Sequence, residues 1–200
     1  PDLNEQERLD FFRFYAEYVN GRVELLAGTG CIRYADTLAL SNAVYELGYT
    51  PMVISPYYFE MDQEKLFVYY DRLAKDVKGD LYLYNFPPRT GHSIAPETIR
   101  RLIDANPNII GLKDSVSTPG HTNMVCRAVE GKPFTVYSGF DDQFLSNIAN
   151  NGGGGCIGAL SIIVPEIWSS LVKAANERDF DRTFALYHLI QKLMPIYDMD

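Results

Sequence analysis

The sequence predicts an α/β fold, a (β/α)8 barrel without its first strands, and three observations support this class. Short apolar runs alternate with helix-like segments at intervals of roughly 20 to 30 residues, as in repeated strand–helix units. The runs are almost continuously apolar, which is typical of parallel strands covered on both faces. Polar residues follow most runs, as they do where barrel strands converge on one mouth. A doubly wound open sheet is the competing architecture.

The first element is an amphipathic helix in "PDLNEQERLDFFRFYAEYVNGR", with Asn4 as its N-cap and Glu7 as the capping-box partner. No strand precedes this helix, which favours a barrel over a doubly wound sheet. The last segment, "LYHLIQKLMPIYDMD", has a helical pattern that continues to Asp200 without a cap. We therefore expect residues 1–200 to form one barrel domain that is truncated at both ends.

Six apolar runs follow the first helix and are predicted to be the strands. They are "VELLAG" at 23–28, "MVIS" at 52–55, "LYLYN" at 81–85, "IIGLKD" at 109–114, "FTVYSG" at 134–139 and "GCIGAL" at 155–160. A polar turn and a helix-like segment follow each run, so the sequence predicts consecutive strand–helix units.

Composition excludes several classes of function. The net charge is −8 and no cluster of Lys or Arg exceeds two residues, so neither nucleic acid nor an anionic membrane is an expected partner. No apolar run approaches the ~18 residues of a membrane span. The three cysteines (Cys31, Cys126 and Cys156) form no CxxC pair, and the three histidines (His92, His121 and His188) show no ligand spacing. We expect a soluble cytoplasmic protein that holds no metal and needs no cofactor.

The strand in "NIIGLKDSVS" ends on a lysine. Lys113 would lie at the mouth of a barrel, where partial desolvation lowers the pKa of an ammonium group. A neutral amine attacks carbonyl carbon, as Schiff-base catalysis requires. The alternatives are a lysine that reaches solvent or one that pairs with Asp114.

Tyr84 and Asn85 end the preceding strand and are expected at the same mouth as Lys113. A tyrosine hydroxyl there could relay protons, although most buried tyrosines only pack. Arg89 follows in a loop stiffened by two prolines, and a fixed guanidinium suits bidentate binding of a carboxylate. A surface ion pair is the alternative for Arg89.

Three further motifs have weaker chemical meaning. "SPYYFE" places Tyr57 and Tyr58 after a strand, where paired aromatic residues commonly pack at interfaces. "NNGGGGC", before the last predicted strand, could cradle a phosphate but is more typical of a flexible turn. "AGTGC" at 27–31 permits a close backbone approach to a ligand.

Together these motifs resemble the dihydrodipicolinate synthase and N-acetylneuraminate lyase family of pyruvate-dependent class I aldolases. The matching motifs are "AGTG", "SPYYF", "YNFPPRTG", "GLKDS", "SGFDD" and "GGGGCIGALS", in the order of the family. The co-occurrence of YNxPxRTG with a strand-borne GxKD is the specific feature.

The resemblance implies a (β/α)8 barrel in which Lys113 forms a Schiff base with pyruvate or another 2-oxo acid. By the same comparison Tyr84 is the proton relay, and Tyr58 reaches the site of a neighbouring subunit in a homotetramer built from dimers. Arg89 matches an arginine that holds the carboxylate of the second substrate in some members. Backbone at three positions would line the pyruvate pocket: Gly155, Ile157 and Gly158.

The chain also departs from the family pattern. The GTTGE-type loop after the second strand, which supplies carboxylate donors, would precede residue 1, and the final helices would follow residue 200. Ile162 stands where the family commonly has asparagine. "LKDS", "GFDD" and "IGALS" favour cleavage of 2-keto-3-deoxy sugar acids or sialic acid, whereas Arg89 favours dihydrodipicolinate synthesis. A catalytically silent barrel that binds a 2-oxo acid is the alternative of another class.

Overall fold

In a computed structural model, the described residues 3–199 form six strands, ten helices and two 3-10 segments. The strands are β1 Leu25–Gly28, β2 Tyr49–Ile54, β3 Leu81–Asn85, β4 Ile109–Asp114, β5 Thr135–Ser138 and β6 Gly153–Cys156. The helices are α1 Glu5–Val19, α2 Tyr34–Tyr45, α3 Gln63–Asp76, α4 Pro87–Thr90, α5 Pro96–Ala105, α6 Pro119–Ala128, α7 Phe144–Ile148, α8 Leu160–Ile163, α9 Pro165–Asn176 and α10 Phe180–Leu193. The 3-10 segments are Asp141–Gln143 and Met194–Asp198.

The strands form one parallel sheet in the order β1-β2-β3-β4-β5-β6. This unbroken order excludes a doubly wound arrangement among the described strands, because that fold needs a point where the strand order reverses. The sheet curls like part of a barrel wall. The parallel α/β class is therefore confirmed, and the described residues form a curled sheet of six strands.

Strand side chains alternate between an outer face, which the helices cover, and an inner face. Along β2, successive side chains alternate strictly between buried and half-buried. The outer face supplies completely buried apolar residues to the main core, where they pack against α3, α5 and α6: Val53, Leu83, Leu112 and Val136. The inner face carries Tyr82 and Tyr137, whose ring centroids lie 6.1 Å apart. Lys113 and Tyr84 also belong to this inner face.

Local signals account for the helix starts. Asn4 caps α1, because its side chain accepts a hydrogen bond from the Glu7 backbone while the Glu7 carboxylate accepts one from the Asn4 backbone. The predicted capping box is confirmed. Asp62 caps α3 by accepting from the Lys65 backbone.

The sequence predicts strand positions unevenly. The bounds of β3 and β4 agree with the prediction at both ends, whereas the last strand was predicted at 155–160 and lies at Gly153–Cys156. The glycines of "NNGGGGC" are more typical of a flexible turn, because glycine lacks a side chain to pack in a sheet. Their backbone nevertheless pairs with β5, and the residues that follow β6 form α8 instead.

One smaller expectation also needs correction. Arg89 lies in a single helical turn, α4, with Pro87 at its first position, and not in an irregular loop. Ile162 lies in α8, and 83% of its surface is exposed. Among the described residues, no helix is both long and apolar enough to cross a membrane.

Candidate active site

The structure brings Lys113 and Tyr84 together on adjacent strands. Lys113 pairs with Tyr84 in the register of β4 and β3, so both side chains point to the inner face. The Lys113 Nζ lies 4.7 Å from the centroid of the Tyr84 ring. This contact attracts an ammonium group to the ring while it leaves the nitrogen close to a phenol.

Burial lowers the pKa of Lys113 below its ordinary value of 10.5, because desolvation disfavours the ammonium form. Negative charge on Cys156 or Asp141 acts in the opposite direction. The net shift increases the fraction of neutral amine at a given pH, and a neutral amine is the form that attacks a carbonyl carbon.

Burial raises the pKa of Tyr84, while a hydrogen bond from Ser115 and the positive charge of Arg89 act to lower it. A phenol near a donor and a guanidinium can give up or regain a proton more readily than an isolated buried phenol. The predicted residue Arg89 is exposed on α4, and its charge acts on the pKa of Tyr84. The Tyr84 ring also stacks on Phe86, at a centroid distance of 5.7 Å.

A second side of the site is formed by Asp141, which is completely buried. Its Oδ2 accepts hydrogen bonds from the Ala159 backbone at 3.2 Å and from the Tyr197 hydroxyl, while its Oδ1 has no protein partner among the described residues. Gly158 permits this packing, because a Cβ at that position would lie 2.3 Å from the Asp141 carboxylate. Asp141 Oδ1 is thus a buried acceptor, and the charge of this carboxylate acts to raise the pKa of Lys113.

The two other predicted backbone positions lie where β6 ends. Gly155 adopts φ +108°, a conformation that favours glycine, and its N–H donates to the Asn147 side chain at 2.7 Å. Ile157 donates its N–H to the Ser138 carbonyl at 2.9 Å. The Gly155 and Ile157 amides therefore bond within the protein.

Tyr58 occupies a different environment. It is 78% exposed, and its ring contacts Phe59 at a centroid distance of 5.2 Å. The neighbouring Tyr57 is also exposed. The structure therefore presents Tyr58 on the surface of the chain and does not group it with Lys113 and Tyr84.

The structure corrects the expected place of Asn85 and excludes one of the alternatives for Lys113. Asn85 was predicted at the mouth, but it points to the outer face, where its Nδ2 donates to Asp114 Oδ1 at 2.8 Å. Asp114 does not pair with Lys113, because adjacent residues of a strand face opposite sides. Its Oδ2 instead accepts from the Thr122 hydroxyl at 2.7 Å and lies 2.9 Å from His121 Nδ1.

Three residues of this region were missed from the sequence. Ser115 belongs to the motif "GLKDS" and Asp141 to "SGFDD", so the resemblance to the family could have indicated both residues. His121 carried no signal, because its partners belong to other elements. Among residues 3–199, no group of three or more His, Cys, Asp or Glu side chains could hold a metal ion.

The sequence matches the profile of the Dihydrodipicolinate synthetase family over residues 1–199. The chain belongs to this family. The motifs "YNFPPRTG" and "GLKDS" include the ends of β3 and β4, where Tyr84 and Lys113 are paired.

Relatives of this family member carry two kinds of name. "Putative 2-dehydro-3-deoxy-D-gluconate aldolase YagE" of Escherichia coli K12 is 32% identical over 99% of this chain and 66% of its own length. A 4-hydroxy-tetrahydrodipicolinate synthase of Kosmotoga olearia is 34% identical over 98% of this chain and 66% of its own length. The chain thus spans about two thirds of the length of these relatives.

Solved structures agree with this assignment. The crystal structure of YagE in complex with pyruvate has a TM-score of 0.94 and 31% identity, and the match covers 99% of this chain and 67% of that one. A dihydrodipicolinate synthase structure has a TM-score of 0.87 and 29% identity, with 98% and 66% covered.

Proposed function

We propose that the protein is a Schiff-base-forming lyase that reversibly cleaves a 2-keto-3-deoxy sugar acid, or sialic acid, to pyruvate and an aldehyde. The observation that carries this proposal is the half-buried Lys113 side chain, whose pKa is lowered and whose Nζ lies 4.7 Å from the ring centroid of Tyr84. An amine of this kind suits imine formation, and a phenol beside it suits proton transfer.

The chemistry follows from these two groups. The Lys113 amine adds to the C2 carbonyl of the 2-oxo acid, and Tyr84 donates a proton to the hydroxyl of the carbinolamine. Loss of water then gives a protonated imine and leaves Tyr84 as a phenolate. Tyr84 accepts the proton of the C4 hydroxyl as the C3–C4 bond breaks, and the bond's electrons move to the imine nitrogen. The aldehyde leaves, the enamine takes a proton at C3, and water releases pyruvate and restores the amine.

The nature of the substrate is supported by the comparisons. YagE, which carries an aldolase name, matches with a TM-score of 0.94. Arg89 favours the second candidate, condensation of pyruvate with aspartate semialdehyde, because its exposed guanidinium could bind the aldehyde's carboxylate. A catalytically silent barrel that only binds a 2-oxo acid would not need a lysine at position 113 that can form an imine.

The assembled site extends beyond these residues. We propose that the natural protein completes a single (β/α)8 barrel, in which Gly155, Ile157 and Gly158 line the pyruvate pocket. The exposed aromatic side chains of Tyr57, Tyr58 and Phe59 suit a subunit interface of a dimer of dimers, with Tyr58 near a neighbouring site. The three free cysteines suit a reducing cytoplasm, and the proposed chemistry requires no cofactor.

Borohydride trapping tests the imine. The natural full-length protein is incubated with pyruvate and sodium borohydride, and the modified residue is located by peptide mass spectrometry. We expect one adduct at Lys113, its loss in Lys113→Ala, and its retention in Lys173→Ala, which removes an exposed lysine of α9. An adduct that persists in Lys113→Ala, or no adduct in the unmodified protein, would overturn the mechanism.

Turnover then separates the two candidate reactions. Cleavage of 2-keto-3-deoxygluconate and N-acetylneuraminate is compared with condensation of pyruvate and aspartate semialdehyde at equal enzyme concentration. Faster cleavage supports the lyase, and faster condensation supports the synthase. An imine at Lys113 with no turnover of any of them would support a binding protein.

A further inference from the structure

His121 lies in the first turn of α6, between the end of β4 and the segment before α5. Its Nδ1 lies 2.9 Å from Asp114 Oδ2, and its Nε2 lies 3.2 Å from the carbonyl oxygen of Ile94. A carboxylate and a carbonyl are both acceptors, so each ring nitrogen must carry a hydrogen to bond both. The Ser93 hydroxyl also lies 3.4 Å from Nε2 and can donate to a neutral ring, so it is the contact with the buried Asp114 carboxylate that favours the imidazolium.

The surroundings explain why a cation is needed there. Asp114 is completely buried, and a buried carboxylate needs a compensating charge as well as hydrogen bonds. Asn85 and Thr122 donate to it but carry no charge. Of the side chains that bond the Asp114 carboxylate, His121 is the one that can supply positive charge.

Burial acts to lower the pKa of His121. The hydrogen bond and charge of Asp114, the Ile94 carbonyl and the charge of Glu97 outweigh it and raise the pKa above 6.5. The other titratable group near Asp114 is Cys126, whose pKa burial raises to about 11, so it is a neutral thiol at neutral pH.

Asp114 connects this ion pair to the amine of Lys113. Its carbonyl accepts from the Gly139 backbone at 2.8 Å, which ties β4 to the turn after β5. On the neighbouring strand, the Asn85 carbonyl accepts from the Ser115 backbone at 2.8 Å. A side chain that fixes Asp114 therefore fixes the strand end from which Lys113 projects to the opposite face.

We propose that His121, as an imidazolium on Asp114, is a positioning residue that holds the Lys113 amine in its reactive place. This inference rests on the proposed imine chemistry at Lys113. His121 touches no reacting atom, and it acts through the backbone of β4. Deprotonation removes the donor to Asp114 or the donor to Ile94, so the Lys113 strand end loses one of its fixed contacts.

The test uses two substitutions in the full-length protein. His121→Asn keeps a neutral donor at the position of Nδ1, and His121→Phe removes both donors. We expect imine formation with pyruvate to be about tenfold slower in His121→Phe, since small displacements of a reacting group are costly, with partial rescue by His121→Asn. His188→Asn, which changes an exposed histidine of α10, leaves the rate unchanged.

The pH dependence of the rate of imine formation distinguishes a positioning role of the charged His121 from a purely structural role of its side chain. The ratio of the wild-type rate to the His121→Asn rate should be largest below the His121 pKa and should fall as pH rises through it, because only the wild-type residue titrates. A ratio that is constant with pH would overturn the proposal, and so would a wild-type rate in His121→Phe.

Nitrogen NMR of His121 in the unmodified protein is independent of activity. We expect hydrogens on both ring nitrogens at pH 6 and a pKa above the ordinary 6.5. A single hydrogen at pH 6, or a pKa below 6.5, would overturn the imidazolium even if the imine forms. If no imine forms, the proposed function and the positioning role both fail, whereas the NMR result alone decides the charge of His121. The NMR measurement also stands if His121→Phe does not fold.

Discussion

Replacement of Asn85 by alanine should destabilise the protein far more than an average polar substitution. Asn85 is 2% exposed and bonds two buried groups: its Oδ1 accepts from the Ile94 N–H at 3.0 Å, and its Nδ2 donates to Asp114 Oδ1 at 2.8 Å. Alanine leaves both without this partner. At about 2 kcal/mol for each unsatisfied buried group, the expected loss of unfolding free energy is about 4 kcal/mol.

Urea denaturation of Asn85→Ala and the parent chain, followed by circular dichroism, measures this loss. For a chain of 150–250 residues, about 4 kcal/mol corresponds to a fall in Tm of about 8–16 °C. Asn151→Ala is the matched control, because Asn151 is exposed and bonds the exposed Glu130; we expect a change within about 0.5 kcal/mol. If the two substitutions have equal effects, the outer-face bond of Asn85 does not hold the strand ends together.

Two further predictions concern the inner face. The lowered pKa of Lys113 predicts that the rate of imine formation rises with pH, with an inflection below 10.5 in stopped-flow measurements; an inflection at 10.5 or above would contradict the effect of burial. Gly158→Ala places a Cβ against the Asp141 carboxylate and should cost about 1–3 kcal/mol by thermal denaturation. Gly120→Ala, whose Cβ would meet only an ordinary contact at 3.8 Å, should be neutral, and equal effects of the two would refute the close approach.

The parts of the fold that the sequence predicts well are those that local patterns determine. The bounds of β3 and β4 follow from apolar runs that end in polar residues, and the cap of α1 follows from Asn4 and Glu7. The proximity of Lys113 and Tyr84 was also predictable, because both end strands that a parallel sheet brings to the same edge. These inferences need only the order of residues along one strand–helix unit or along two successive ones.

The remaining features depend on contacts between distant residues. β6 was misplaced because its glycines pair through backbone alone, and its partner strand supplies the register. Asp141 was not recognised because its burial depends on Tyr197, which is 56 residues away. His121 was not recognised because its two acceptors come from β4 and from the segment before α5. No local pattern of apolar and polar residues records such partners.

The alternation of side chains along a strand determines the face on which Asn85 lies. Side chains of a strand alternate between faces, so if Tyr84 and Lys113 face inward, Asn85 and Asp114 must face the helices. The register of β3 and β4 pairs both sets, Tyr84 with Lys113 and Asn85 with Asp114. A shift of one residue in β4 would turn the lysine toward the apolar helices and the carboxylate toward the inner face. The hydrogen bond between Asn85 and Asp114 therefore favours the one register in which the amine of Lys113 and the phenol of Tyr84 meet. A family motif with YN on one strand and KD on the next thus specifies the two reacting groups and also the strand register that brings them together.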